Sequence, residues 1–173
     1  MALLPKTEYY NDGKTVYATY MVNDRGHREG PYKEFTADGQ LNKVLPYKDG
    51  ELHGTATVYY LNGKVLSRTE FKNNSKSGLH ESYHQNGCLH IRCHYLDNYR
   101  LTGPYEEYTA SGRLVRKGQY INNHFIDETQ DNKKWLRSAL LEYNTNRPYE
   151  MIVRPKDWTP LKGLFLDYQV KSR

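Results

Sequence analysis

The sequence is short of the residues that build deep cores and covalent frameworks. It has two cysteines in 173 residues, Cys88 and Cys93, too few for the disulfide scaffold of a small secreted domain. No apolar run reaches the roughly 18 residues that read as a membrane-spanning helix. Leu, Ile, Val and Phe together make up just under a fifth of the chain, close to compositions that bury too little surface to fold. The opening residues, MALLPKTEYYNDG, lack the basic-then-apolar order of a secretory signal, and with few cysteines the cytoplasm is the expected compartment. Charge of one sign is missing too. The 25 basic and 20 acidic side chains leave only +5, spread without a basic tract, so composition alone does not indicate a phosphate-tracking surface.

What the sequence does have is tyrosine: 17 of them, against 4 Phe and 2 Trp. Tyrosine must then supply much of the apolar area while keeping each hydroxyl near water or a partner. That suits a thin structure with half-buried rings and argues against a large enzyme with an aliphatic core.

Glycine reveals an internal repeat. Gly30, Gly54, Gly78 and Gly103 are spaced 24, 24 and 25 apart, and each is followed nine residues later by Gly39, Gly63, Gly87 or Gly112. Counting from the first glycine, offset 5 is Phe35, Tyr59, Tyr83 or Tyr108. Offset 11 is Leu41, Val65, Leu89 or Leu114, and offset 17 is Tyr47, Phe71, Tyr95 or Tyr120. A looser unit around Tyr9 and Gly13 precedes them. A period in this range is the signature of a stacked array. Asp38-Gly39, Asn62-Gly63, Asn86-Gly87 and Ser111-Gly112 read as hairpin turns, whose glycine takes a positive φ without steric cost. Asp49-Gly50, Asn73-Asn74, Asp97-Asn98 and Asn122-Asn123 read as a second set of turns. Flanks such as GTATVYY favour strand.

The expected fold is therefore mainly β: an elongated, single-layer antiparallel meander of about five 24-residue hairpin repeats and roughly ten strands, over residues 4–126. Period two places offsets 11, 13, 15 and 17 on one face. A three-residue loop with a glycine bulge sets offset 5 opposite offset 11. One face should then be an aromatic ladder and the other largely polar. Tyr32 and Tyr105 (offset 2) and Tyr60 (offset 6) fall on the second face, where exposed rings offer rigid contact area to a partner.

The pattern G-x-Y-x-x-Y-x-x-N-G-x-L, with connectors such as Asp49-Gly50-Glu51-Leu52-His53-Gly54, resembles the bacterial variant of the MORN repeat, as in proteins of the YwqK-like antitoxin family. The resemblance covers residues 4–126. It implies an elongated binding or scaffolding surface, antitoxin- or inhibitor-like in role.

The period stops after Ile126, and residues 127–173 read as a second, α+β element. DNKKWLRSALLEY (131–143) has the spacing of an amphipathic helix through Trp135, Leu136, Ala139, Leu140 and Tyr143. Strand-like pieces follow at 149–154 and 163–170. Repeat arrays need an atypical terminal element, so this segment is expected to cap the last repeat, with Trp135 a further partner-binding candidate.

No Walker loop, dinucleotide fingerprint, H-E-x-x-H, C-x-x-C or G-x-S-x-G occurs. The third unit gathers His80, His84, Cys88, His90 and His94, all assigned by period two to the polar face. His84 should face Cys88, and His80 should lie diagonal to His90. The four histidines are weak metal candidates without a standard ligand spacing. Cys93 falls on the ladder face as inert core. No catalytic residue, metal or cofactor is expected. The chain reads as a non-enzymatic protein that binds a protein partner through a tyrosine-rich sheet face. The alternative is a peripheral binder of acidic phospholipid or nucleic-acid surfaces.

Overall fold

A computed structural model describes residues 2–121 and 123–128. The chain divides into two units, Met1–Gln130 and Asp131–Arg173. The expected helix 131–143 with Trp135, the strand-like pieces beyond it and their capping role lie outside the described residues.

The first unit is one open antiparallel sheet, and no helix occurs among the described residues. Its twelve strands are β1 (Leu4–Tyr9), β2 (Val16–Val22), β3 (Arg28–Phe35), β4 (Leu41–Lys48), β5 (Glu51–Leu52), β6 (Gly54–Tyr59), β7 (Val65–Lys72), β8 (Ser75–Tyr83), β9 (Leu89–Tyr95), β10 (Leu101–Tyr108), β11 (Leu114–Ile121) and β12 (His124–Asp127). Strand order follows chain order, with the short β5 pairing only to β4.

Each hairpin closes as the turn residues require. In β6–β7 the Tyr60 N–H donates to Lys64 O (2.8 Å) and the Gly63 N–H to Tyr60 O (2.9 Å). This three-residue loop holds Gly63 at φ +77°, a left-handed conformation that a β-branched residue resists. The same pair of bonds recurs at Thr36, His84 and Thr109. The aromatic–aliphatic pairs also stand where the loop puts them: Phe35 opposite Leu41, Tyr59 opposite Val65, Tyr83 opposite Leu89 and Tyr108 opposite Leu114.

Between hairpins, Asp49 (φ 51°) with Gly50 (87°), and Asn73 (49°) with Asn74 (65°), turn the chain through two positive-φ residues, which matches the twist of antiparallel strands. The Asn74 N–H donates to Leu52 O (3.0 Å), and its Oδ1 accepts from the Leu52 N–H (2.8 Å). Asn98 and Asn123 likewise accept from the N–H groups of Lys76 and Leu101.

The first glycine of each unit does something the repeat count alone does not disclose. Around Gly78, two steps of β7 (Thr69 to Phe71) face four of β8 (His80 to Lys76). Gly30 and Gly103 mark the same detour, and around Gly54 it splits β5 from β6. Gly78 holds a φ of +108°, which side-chain-bearing residues rarely adopt, so the bulge there needs glycine for its backbone; an added Cβ would also push aside the exposed Glu70 carboxylate. The split, together with β12, brings the strand count to twelve rather than ten.

Facing departs from the period-two expectation. The register shifts between Glu34 and Phe35, and again at Tyr59, Tyr83 and Tyr108. Each shift places two residues against one, so side chains on either side of it no longer share a face. The Phe35–Leu41 class of pairs therefore lies opposite the face that carries offsets 13, 15 and 17. Tyr32 and Tyr105, expected on the exposed face, are buried instead, at 5% and 9% exposure. Cross-strand pairing puts Ala18, Tyr32, Glu34, Ala56, Thr69, His80, Cys93 and Tyr105 on one core face.

Candidate functional site

The core face starts with a cation among rings. Tyr32 lies 5.5 Å from Tyr20 and 6.2 Å from Tyr47 between ring centroids. The Arg28 guanidinium sits over Tyr20, Tyr32 and Tyr47, at 4.9, 4.5 and 5.4 Å, where the ring faces attract it. Desolvation raises the Tyr32 hydroxyl above its usual range. Beside it, Glu34 accepts from Lys43 Nζ (2.8 Å), Asn42 Nδ2 (2.9 Å) and the Tyr17 hydroxyl (3.0 Å). Burial pushes this carboxyl up, but the three donors outweigh it and hold it below the usual carboxylate range.

The third hairpin brings His84 and His90 together but does not gather all four of its histidines. His80 and Cys93 are direct cross-strand partners on the core face, and His80 Nδ1 bonds Thr69 Oγ1 (2.8 Å). Burial, and then Lys76, lower the His80 pKa. Cys93 is 3% exposed, and burial pushes its thiol up to about 11, the state of a packed rather than a reactive cysteine. Nearer the tip, His84 stacks on His90 at 4.4 Å, and His84 N–H pairs with Cys88 O across the loop, as expected. His80 faces Cys93 and is not diagonal to His90. His94 pairs with Leu79 and Thr102 on the opposite face, and its Nδ1 is buried without a hydrogen-bond partner. Among the described residues, no group of three or more His, Cys, Asp or Glu side chains is placed to hold a metal ion.

At the far end Tyr105, Tyr120 and Phe125 contact one another at 5.2–5.5 Å, and Arg116 lies 4.2 Å over Phe125. Burial, then Glu107, push the Tyr105 hydroxyl up to about 12. Tyr105 stands opposite Gly118, where a Cβ would strike the Ile126 carbonyl oxygen.

The opposite face carries alternating charge across β7–β11: Arg68, Glu81, Arg92, Glu106 and Lys117 occupy successive cross-strand positions. Arg92 bonds Glu81 (2.9 Å) and approaches Glu106 (3.5 Å), and Lys117 lies 3.3 Å from Glu106. The spacing of these charges, one per strand, is visible in the sequence once the hairpin register is drawn.

Tyr60 is half-buried, with its hydroxyl donated to Tyr83 O (2.7 Å) in the next hairpin. It therefore ties hairpins together. Exposed large apolar side chains stand elsewhere, and among the described residues Tyr99 is the most exposed of them. Tyr99 is 88% exposed and Leu96 55%, both on the connection between β9 and β10. This is where the glycine spacing lengthens from 24 to 25. Asp97 stiffens the loop by accepting from the N–H groups of Tyr99 and Arg100 and from Arg100 Nε (2.7 Å). The lengthened period is the signal that could have pointed to Tyr99.

A single antiparallel sheet of hairpins in chain order, each stapled to the next, defines a repeat protein. Residues 28–49, 52–73 and 101–122 match the MORN repeat variant model, so these segments of the sheet are similar to MORN repeats. The histidine-rich hairpin falls between the matched segments yet keeps the same loop and pairing. No curated protein matches the chain.

Proposed function

We propose that the chain is a non-enzymatic, cytoplasmic interaction protein of about five hairpin units that binds a protein partner, in the manner of an antitoxin or inhibitor. The observation that carries this reading is the Leu96–Arg100 loop. It leaves the repeat pattern, has its backbone braced from within by Asp97, and leaves both Tyr99 and Leu96 exposed. A tyrosine carried on a braced backbone, in a loop that also exposes Leu96, loses less backbone entropy on docking, which favours a binding hot spot. MORN repeats are in general interaction repeats. The buried Tyr32 and Tyr105 act behind this surface as packing.

Affinity capture from the native host tests the reading, with Leu96→Ala/Tyr99→Ala alongside the parent and circular dichroism as the folding control. We expect the double variant to fold and to weaken capture about five- to thirtyfold, the loss of a hot spot of ~1–2 kcal/mol. Equal capture by both would remove the loop from the interface. Retention on anionic vesicles or heparin that falls with salt, with no protein captured, would replace this reading by an acidic-surface binder.

A further inference from the structure

Two hairpin tips carry the dipeptide Asn-Gly, and in both the asparagine bonds its neighbour. Asn62 Nδ2 donates to Gln85 O of the next tip (3.0 Å), and its Oδ1 accepts from the Lys64 N–H (3.0 Å). Asn86 repeats the arrangement one unit on, donating to Ala110 O and accepting from the Cys88 N–H. Lys64 Nζ adds a bond to Asn86 O (2.8 Å). Where the same loop position is aspartate, the forward bond does not form: Asp12 accepts from Lys14 and Thr15, and Asp38 from Thr36, all within their own loops. The difference is chemical. Only the amide has a donor to send forward.

We propose that Asn62 and Asn86 are sites of spontaneous deamidation, gated by the fold, whose conversion unties the second, third and fourth hairpins from one another. The Gly63 or Gly87 nitrogen attacks the asparagine Cγ and forms a C–N bond. The amide C–N bond breaks, and the side-chain nitrogen leaves as ammonia with the proton given up by the glycine N–H. Solvent water then opens the cyclic imide at either carbonyl, giving aspartate or isoaspartate. No electrons change hands. Glycine places no side chain in the path of this attack. In the folded tip, however, the Gly63 and Gly87 N–H groups donate to Tyr60 O (2.9 Å) and His84 O (2.8 Å), and both amide groups are held by their own bonds. The reaction therefore waits for a tip to open. Once it has occurred, a carboxylate faces the Gln85 or Ala110 carbonyl where a donor stood, and the tip cannot close as before.

Peptide mapping of the full chain after incubation in mildly alkaline buffer, folded and in urea, reads the rate at each site. We expect the amide-to-acid mass gain at Asn62 and Asn86 to be at least about tenfold slower in the folded protein, since only locally opened tips react. Tyr60→Phe, which deletes the hydroxyl bond to Tyr83, should speed conversion at Asn62. Asn62→Asp and Asn86→Asp should each melt below the parent. Equal rates in the folded and urea-unfolded chain would overturn the gating. Aspartate variants that melt with the parent would overturn the untying. If those variants fail to fold, the rates measured on the parent still decide the first point.

Discussion

At offset 2 the first of the four regular hairpins places Tyr32 and the third places His80, on the same face of the same sheet. Around Tyr32 the surface is filled by two further rings, one tilted and one edge-on, and by a guanidinium. Around His80 it is filled by the smaller Thr69 and Cys93 and by one ring, Tyr95, 5.7 Å away with Lys76 over it. Turns, bulges and ladder are alike in both regions. The contrast teaches that the repeat specifies backbone geometry and leaves core volume free to vary. Among the described residues no second sheet fixes the space each position must fill, so neighbouring units trade large and small residues.

The sharpest way to break this comparison is truncation. Tyr32→Ala should cost about 3 kcal/mol, the low end for emptying a buried aromatic site, and Tyr105→Ala a similar amount. His80→Ala should cost about 1 kcal/mol, a net hydrogen bond and little volume. Denaturant melts would measure all three. Equal losses at Tyr32 and His80 would mean that both regions are packed alike.

Acid should separate the same regions. The lowered His80 pKa means the unfolded chain takes up that proton first, so its contribution is complete above about pH 6.5 and is lost as pH falls through the folded value. Glu34 is also lowered, but from the carboxylate range, so its contribution is complete above about pH 4.3 and is lost below that. Melting as a function of pH should thus show two declines. His80→Gln should flatten the upper one and Glu34→Gln the lower. A single decline that neither substitution alters would refute the assignment.

The smallest effect belongs to the charged face. Arg92 is about half exposed, so Arg92→Ala should cost no more than about 1 kcal/mol and the cost should shrink in high salt. A loss as large as that of Tyr32→Ala would show that the ladder, and not the ring face, carries this sheet.

Much of this was legible in the residues themselves. The Asn-Gly and Asp-Gly dipeptides marked the turns, and the loop length placed Phe35 on Leu41 and Tyr59 on Val65. Facing was not legible, because the bulge beyond each of these pairs leaves no residue type of its own. Period two carried through it sends Tyr32 to the wrong side, and the polar tip of tyrosine makes either side plausible. Ala at Tyr32 or Tyr105 would accordingly damage the fold, so these positions cannot probe a partner. Tyr99 was marked by one extra residue in the period, a weaker sign than the tyrosine count that drew attention elsewhere.

Because strand order follows chain order, every strand among the described residues pairs only with strands close to it along the chain. Closing each contact costs little loop entropy, so folding can begin at any hairpin and spread both ways. Such an array has no keystone. Its ends can fray while the centre stays zipped, and amide exchange should slow from the β1 edge toward the middle strands rather than release the whole sheet at once.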